Sequence, residues 1–168
     1  LGKPMIILFS LVALYMAGFT IYRYENFLPK TYRPDRAQEA SRWLADNSET
    51  NDIVFHTRWE QFAELFFWNQ KNYYINGMDP IFEYIYTPSL YWKQHFFSTD
   101  QAGAMTCGAV RCKQDTTEES YKVLKEDFHA RFVYVQKDKN PNFLKYLLSD
   151  NRFEKKFENK DDIVFGIK

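Results

Sequence analysis

The clearest pattern along the chain is a run in which polarity does not alternate at all. Residues 4–22 read PMIILFSLVALYMAGFTIY, nineteen positions without a charge, bounded by Lys3 and Arg23. A helix of that length spans about 28 Å, close to the hydrocarbon thickness of a bilayer. The run therefore predicts a transmembrane helix. Two other readings fit it less well. A signal-peptide core is shorter, and Arg23, Tyr24 and Glu25 follow instead of a small-residue cleavage site. A buried helix that is apolar on every side needs a large body around it. Residues 25–33 read as a juxtamembrane link, with Pro29 and Pro34 limiting continuation of the helix.

Beyond the link the pattern changes to short alternating elements. Ala37, Ala40, Trp43 and Leu44 share a face at helical spacing, with Arg36, Glu39 and Arg42 turned away, which predicts a helix over 34–46. Residues 52–56, DIVFH, predict a buried strand, and Phe62, Leu65 and Phe66 a helix through Trp68. Residues 73–75 predict a second strand, followed by the turn-like NGMDP over 76–80. Residues 82–97 read as one helix or two, with Pro88 the interruption. Residues 98–117 carry no clear period and read as an ordered loop. A helix over 118–128, a strand over 131–135 and a helix from Pro141 follow. The end, RFEKKFE then NKD then DIVFGI, predicts a terminal hairpin. Helix and strand alternate while the last pair is antiparallel. The expected fold class is α/β: one N-terminal transmembrane helix, then a compact αβα-type domain with a mixed sheet and a C-terminal β-hairpin. The expected division is residues 1–30 for the helix and link, and 31–168 for the soluble domain.

Charge and composition narrow the partners. Lys3, Arg23, Glu25 and Lys30 precede the domain, which leaves it 19 Lys+Arg and 21 Asp+Glu. No basic stripe suits nucleic acid and no polybasic cluster suits anionic lipid. The chain holds 16 Phe and 12 Tyr; much of this is expected in the core, and the rest suits a platform for sugar or lipid or a belt at the membrane surface. Cys107 and Cys112 enclose GAVR, a spacing that permits a disulfide-closed loop and hence an oxidising compartment. Two free thiols or a metal pair remain open alternatives at this point, although the histidines are distant in sequence. Lys3 favours a cytoplasmic start, but Arg23, Lys30, Arg33 and Arg36 on the other side outnumber it, so charge favours placing the domain inside the cell, and the cysteine pair argues the reverse.

The residues best suited to chemistry follow the first two predicted strands. His56, Arg58, Trp59 and Glu60 follow the first; Asn76, Asp79 and Glu83 follow the second. Ligands in open α/β sheets commonly lie beyond the carboxyl ends of strands, and these loops meet if the two strands are parallel neighbours. Asp79 with Glu60 or Glu83 would then bind a cation or sugar hydroxyls, Trp59 would stack on a pyranose ring, and Arg58 would meet a phosphate. The structural reading of the same residues is a helix cap at Asp79, a solvated face at Glu60 and a strand-end histidine. No glycine-rich phosphate loop, serine–histidine–acid pattern or histidine pair at ligand spacing is present.

The same stretches resemble a known architecture. The order is a final membrane helix, then ASRWLADNSETNDIVFHTRWEQFAELFFWNQKNYYINGMDPIFEYIYTPSLYW, then EDFHARFVYVQKDKNPNFLKYLLSDNRFEKKFENKDDIVFGIK. It resembles the C-terminal region of prokaryotic polytopic membrane proteins of the GT-C glycosyltransferase type, the protein mannosyltransferase-like and oligosaccharyltransferase-like enzymes among them. Trp59 and Glu60 correspond to the Trp-Asp pair of the oligosaccharyltransferase WWDYG motif. Its Tyr-Gly end is missing here, so recognition of a peptide sequon is not implied.

The resemblance implies that the chain is the last helix and the extracytoplasmic domain of a larger membrane enzyme, a reading to which the start at Leu1 also lends itself. The whole protein would transfer a sugar from a polyprenyl-phosphate donor, with this domain assisting acceptor binding or site closure. Its implied partners are the membrane, a lipid-linked sugar donor and a glycan or protein acceptor, with no nucleic acid. No cofactor is expected in this part; a divalent cation is expected in the complete protein, held mainly by early loops, so this part alone would not be catalytic. The alternative is a non-catalytic, membrane-tethered module that binds glycan or a partner.

Overall fold

The computed structural model describes residues 2–31, 33 and 35–168, the side chains of 27–31 excepted. The chain divides into two compact units, 1–34 and 35–168. The first is a single helix, α1 (Lys3–Thr31), whose described side chains are all exposed. Over Lys3–Asn26 it is long and apolar enough to cross a membrane. Its polar side chains satisfy themselves locally: the Thr20 hydroxyl donates to the Met16 carbonyl at 2.8 Å, and the Asn26 amide to that of Tyr22 at 2.9 Å. Such internal pairing is what hydrocarbon surroundings demand. The helix also runs through Pro29, where the sequence predicts a stop. A proline this close to a helix end forfeits a single backbone donor. Pro34 lies outside the described residues.

The second unit is a three-layer αβα domain. Its elements are α2 (Gln38–Asn47), β1 (Ile53–His56), α3 (Gln61–Trp68), β2 (Tyr73–Tyr74), α4 (Pro80–Tyr86), α5 (Pro88–Ser98), β3 (Met105–Cys107) and β4 (Thr117–Glu119). There follow a short α6 (Ser120–Lys122) that widens into a π-helical turn (Val123–Asp127), β5 (Phe132–Gln136), α7 (Pro141–Ser149), β6 (Phe153–Glu158) and β7 (Asp162–Ile167). The main sheet has the order β2-β1-β5-β7-β6. β1 runs parallel to both β2 and β5, while β7 is antiparallel to β5 and β6. The sheet is therefore mixed, and β6 and β7 form the expected terminal hairpin.

Alternation along the strands builds two cores. Val54, Phe132, Tyr134 and Val164 face Ala37, Ala40, Leu44 and Leu65 of α2 and α3. Phe55, Val133, Val135, Ile163 and Phe165 face the other way, against Phe97, Val123, Leu124, Phe128, Phe143 and Leu147. Phe55 is the hub of that second core, with ring centroids 5.1 Å from Phe97 and 4.9 Å from Phe128, both edge-on. These are favoured aromatic geometries.

Three sequence expectations change. The 98–117 stretch is not all loop: β3 and β4 pair antiparallel across it. Cys107 and Cys112 lie at disulfide distance beside this ribbon, their Cα atoms 5.7 Å apart. The ribbon is tied to the body by Lys93 of α5, whose ammonium lies 2.7 Å from both Glu118 and Asp127. The helix expected over 118–128 begins later, because Glu118 and Glu119 pair in β4, and its second half is the wider π turn. The helix expected over 34–46 is assigned from Gln38.

Candidate functional site

Because β1 and β2 are parallel neighbours, with Ile53 opposite Tyr73 and Val54 opposite Tyr74, the loops that follow them leave the same edge of the sheet. Gly77 in the β2 loop lies so close to Phe62 of α3 that a Cβ would stand 2.9 Å from the ring. Phe62 in turn stacks on Phe66 and meets Tyr74 edge-on. Glycine at 77 is thus required by close approach, and it packs the loop after β2 against α3.

The β1 loop is held from inside. The Thr57 hydroxyl donates to Asn140 at 2.7 Å, and the Asn140 amide donates to the Phe97 carbonyl at 2.8 Å. The Gln61 side chain accepts from the Arg58 backbone at 3.1 Å. His56 is fully buried and its Nδ1 lies 2.9 Å from the Arg58 carbonyl. A carbonyl only accepts, so Nδ1 carries the proton and Nε2 the lone pair. Burial pushes this imidazole down to about 4, against the weaker opposing pull of the Arg58 and Ile75 backbones and of Glu60. His56 is therefore a neutral internal strut of the site, and no ligand reaches it from the surface.

The outer residues divide into engaged and available groups. Arg58 and Glu60 pair with each other, Nε to Oε1 at 2.5 Å. Asp79 caps α4 by accepting from the Ile81 backbone at 3.0 Å, as the structural reading of Asp-Pro expects. Trp59 stands half-exposed beside this pair, its ring open to solvent. Glu83 is partly buried, and burial alone pushes its carboxyl up to about 7. The Asn76 amide donates to Glu83 Oε2 at 3.0 Å and also to Gln94 Oε1. Asn76 adopts φ of 51°, a left-handed conformation that asparagine tolerates better than most residues.

The edge thus offers one flat aromatic face, one ion pair, and a carboxyl, Glu83, raised by burial to about 7 and hydrogen-bonded by the Asn76 amide. That set can stack on a sugar ring and hydrogen-bond its hydroxyls. Among the described residues no group of three or more His, Cys, Asp and Glu converges as a metal site would require. Glu60 and Asp79 are each committed to a neighbour, so the acidic cluster read from the sequence is reduced to Glu83.

Gln94 was not legible as a site residue, since it lies on a later helix and reaches Asn76 only through the folding of α5. Asp162 is a second such case. It is buried at the start of β7, accepts from the Tyr134 hydroxyl at 2.9 Å, and is pushed by desolvation up to about 6. It belongs to the inner face of the sheet. At the opposite end of the strands, His129 borders a depression of about 440 Å³ with Asp52, Lys125 and Arg131.

No protein-family model matches the chain, and neither does any curated protein or solved structure.

Proposed function

We propose that the chain is the terminal membrane helix and extracytoplasmic domain of a membrane glycosyltransferase that uses a polyprenyl-phosphate sugar donor. The domain's role is to bind and orient the acceptor. The observation that carries this reading is the parallel β1–β2 pair, whose following segments carry the exposed Trp59 and the Asn76–Glu83–Gln94 network at the same end of the sheet. Trp59 stacks on an acceptor ring, and the amides and Glu83 bind its hydroxyls. Arg58 exchanges Glu60 for the donor phosphate as the site closes. Outward location is supported by the cysteine pair at disulfide distance, which suits an oxidising compartment.

The test is sugar transfer by the full-length enzyme carrying Trp59→Ala or Glu83→Gln. Loss of about 1.4 kcal/mol of acceptor binding corresponds to about a tenfold fall in transfer at low acceptor. Unchanged transfer at unchanged expression removes the site. A second reading, a glycan- or partner-binding module without catalysis, is favoured by the commitment of Glu60 and Asp79 to internal contacts. Oligosaccharide binding by the chain, together with transfer that ignores both substitutions, selects it.

A further inference from the structure

α4 does not have the two faces of an amphipathic helix. A helix on a soluble domain buries an apolar stripe and shows water a polar face. None of the residues of α4 is buried, yet its sequence is PIFEYIY. Ile85 is 63% exposed and Tyr86 83%, with Met78, Ile81, Phe82 and Tyr84 exposed beside them. From residue 80 to residue 92 the one charged side chain is Glu83, and it is turned inward to Asn76. Asp79, at the start of the helix, spends its carboxylate on the Ile81 backbone. Asp79 itself stays exposed at the turn, so the charge-free part of the face runs over Ile81, Phe82 and Ile85.

We infer that α4 and the turn before it lie in the interface of a lipid bilayer, with Met78, Ile81 and Ile85 among the acyl chains and Tyr86 at headgroup level. The inference rests on reading α1 as a membrane-spanning helix. Asp35 follows Asn26 by nine residues, and nine residues of chain reach at most about 30 Å. The domain is therefore confined near the surface that α1 enters, at a high effective concentration of lipid. The character of the face suits that occupant. Tyrosine and aliphatic residues without charge match the boundary between headgroup and hydrocarbon, and the absence of a basic cluster makes the contact indifferent to anionic lipid.

The experiment uses the full chain reconstituted in vesicles of phosphatidylcholine and phosphatidylethanolamine. A nitroxide label is placed in turn at Phe19→Cys, Ile85→Cys and Lys160→Cys. Its accessibility to oxygen, which partitions into lipid, is compared with that to a water-soluble nickel chelate. The label at position 85 should resemble that at 19, open to oxygen and shielded from nickel, while that at 160 should show the reverse. Position 19 in lipid with position 85 in water overturns the α4 contact and leaves the anchor standing. Both in water overturns the anchor itself. Position 85 shielded from both relaxants means that protein covers α4, a second copy or another part of the enzyme, and overturns the lipid contact. Adding Ile81→Lys to the Ile85→Cys chain should return the label to water. No change would show that the label inserts by itself, and the inference falls.

Discussion

Glu83 is the residue on which chemistry and stability meet. Its carboxyl is raised by burial to about 7, so the folded state favours the protonated form. The stabilisation this brings is complete below the ordinary carboxyl value and is lost as pH rises through 7. Asp162, raised to about 6, acts in the same direction. His56 opposes both. Lowered to about 4, it costs stability as pH falls from its ordinary value of 6.5 toward 4, because only the unfolded state gains the proton readily. Replacing Glu83 with Gln should therefore stabilise the chain at pH 8 by on the order of 1–2 kcal/mol, discounted for partial exposure, and the advantage should fade by pH 5. Thermal unfolding at the two pH values checks this, and an equal gain at both would contradict the assignment. Gly77→Ala tests the packing of the β2 loop on α3. Its Cβ would press on the Phe62 ring, and a cost of about 1–3 kcal/mol is expected, with Trp59 fluorescence altered as α3 shifts.

At the scale of elements, what could be read from the sequence follows from how local each signal is. β1 is legible because Ile53, Val54 and Phe55 form a short β-rich run that both cores bury. The terminal hairpin is legible because its two strands flank a polar turn and pair with each other. The β3–β4 ribbon is not, since MTC and TEE are three-residue strands joined by a polar loop, and their pairing is what defines them. The same pairing delays the helix expected at 118. Of the candidate site, bringing the two loops to one end of the sheet was conditional on a parallel β1–β2 pair, which the structure has. The commitments of Glu60 and Asp79 are nearest-neighbour effects that compete with any ligand role. The contribution of Gln94 depends on tertiary packing and left no trace in the pattern. For the ribbon, replacing Cys107 and Cys112 with Ser should remove about 2 kcal/mol by the chain-entropy argument for so short a loop. Lys93 still holds the ribbon to Glu118 and Asp127, so the loss should appear first as faster amide exchange over 105–119. Uniformly faster exchange across the main sheet would instead make the cysteine pair part of the global fold.

At the scale of the whole molecule, a helix long and apolar enough to cross a membrane precedes an αβα domain in which the exposed apolar α4 and the Asn76–Glu83–Gln94 network share residues 76–94. Under the proposed transferase function, a lipid-linked donor and an acceptor meet at the membrane surface, and a domain that binds acceptor on the β1–β2 edge is useful only if it is kept there. The most direct measurement is a titration of the full chain in lipid nanodiscs with an acceptor-like oligosaccharide, followed by NMR of the Trp59 indole N–H and the Asn76 and Gln94 side-chain amides. The expected result is saturable shifts at all three groups, lost in Trp59→Ala. Shifts confined to residues around His129, or none at saturating sugar, would contradict the assignment of this edge as the acceptor site.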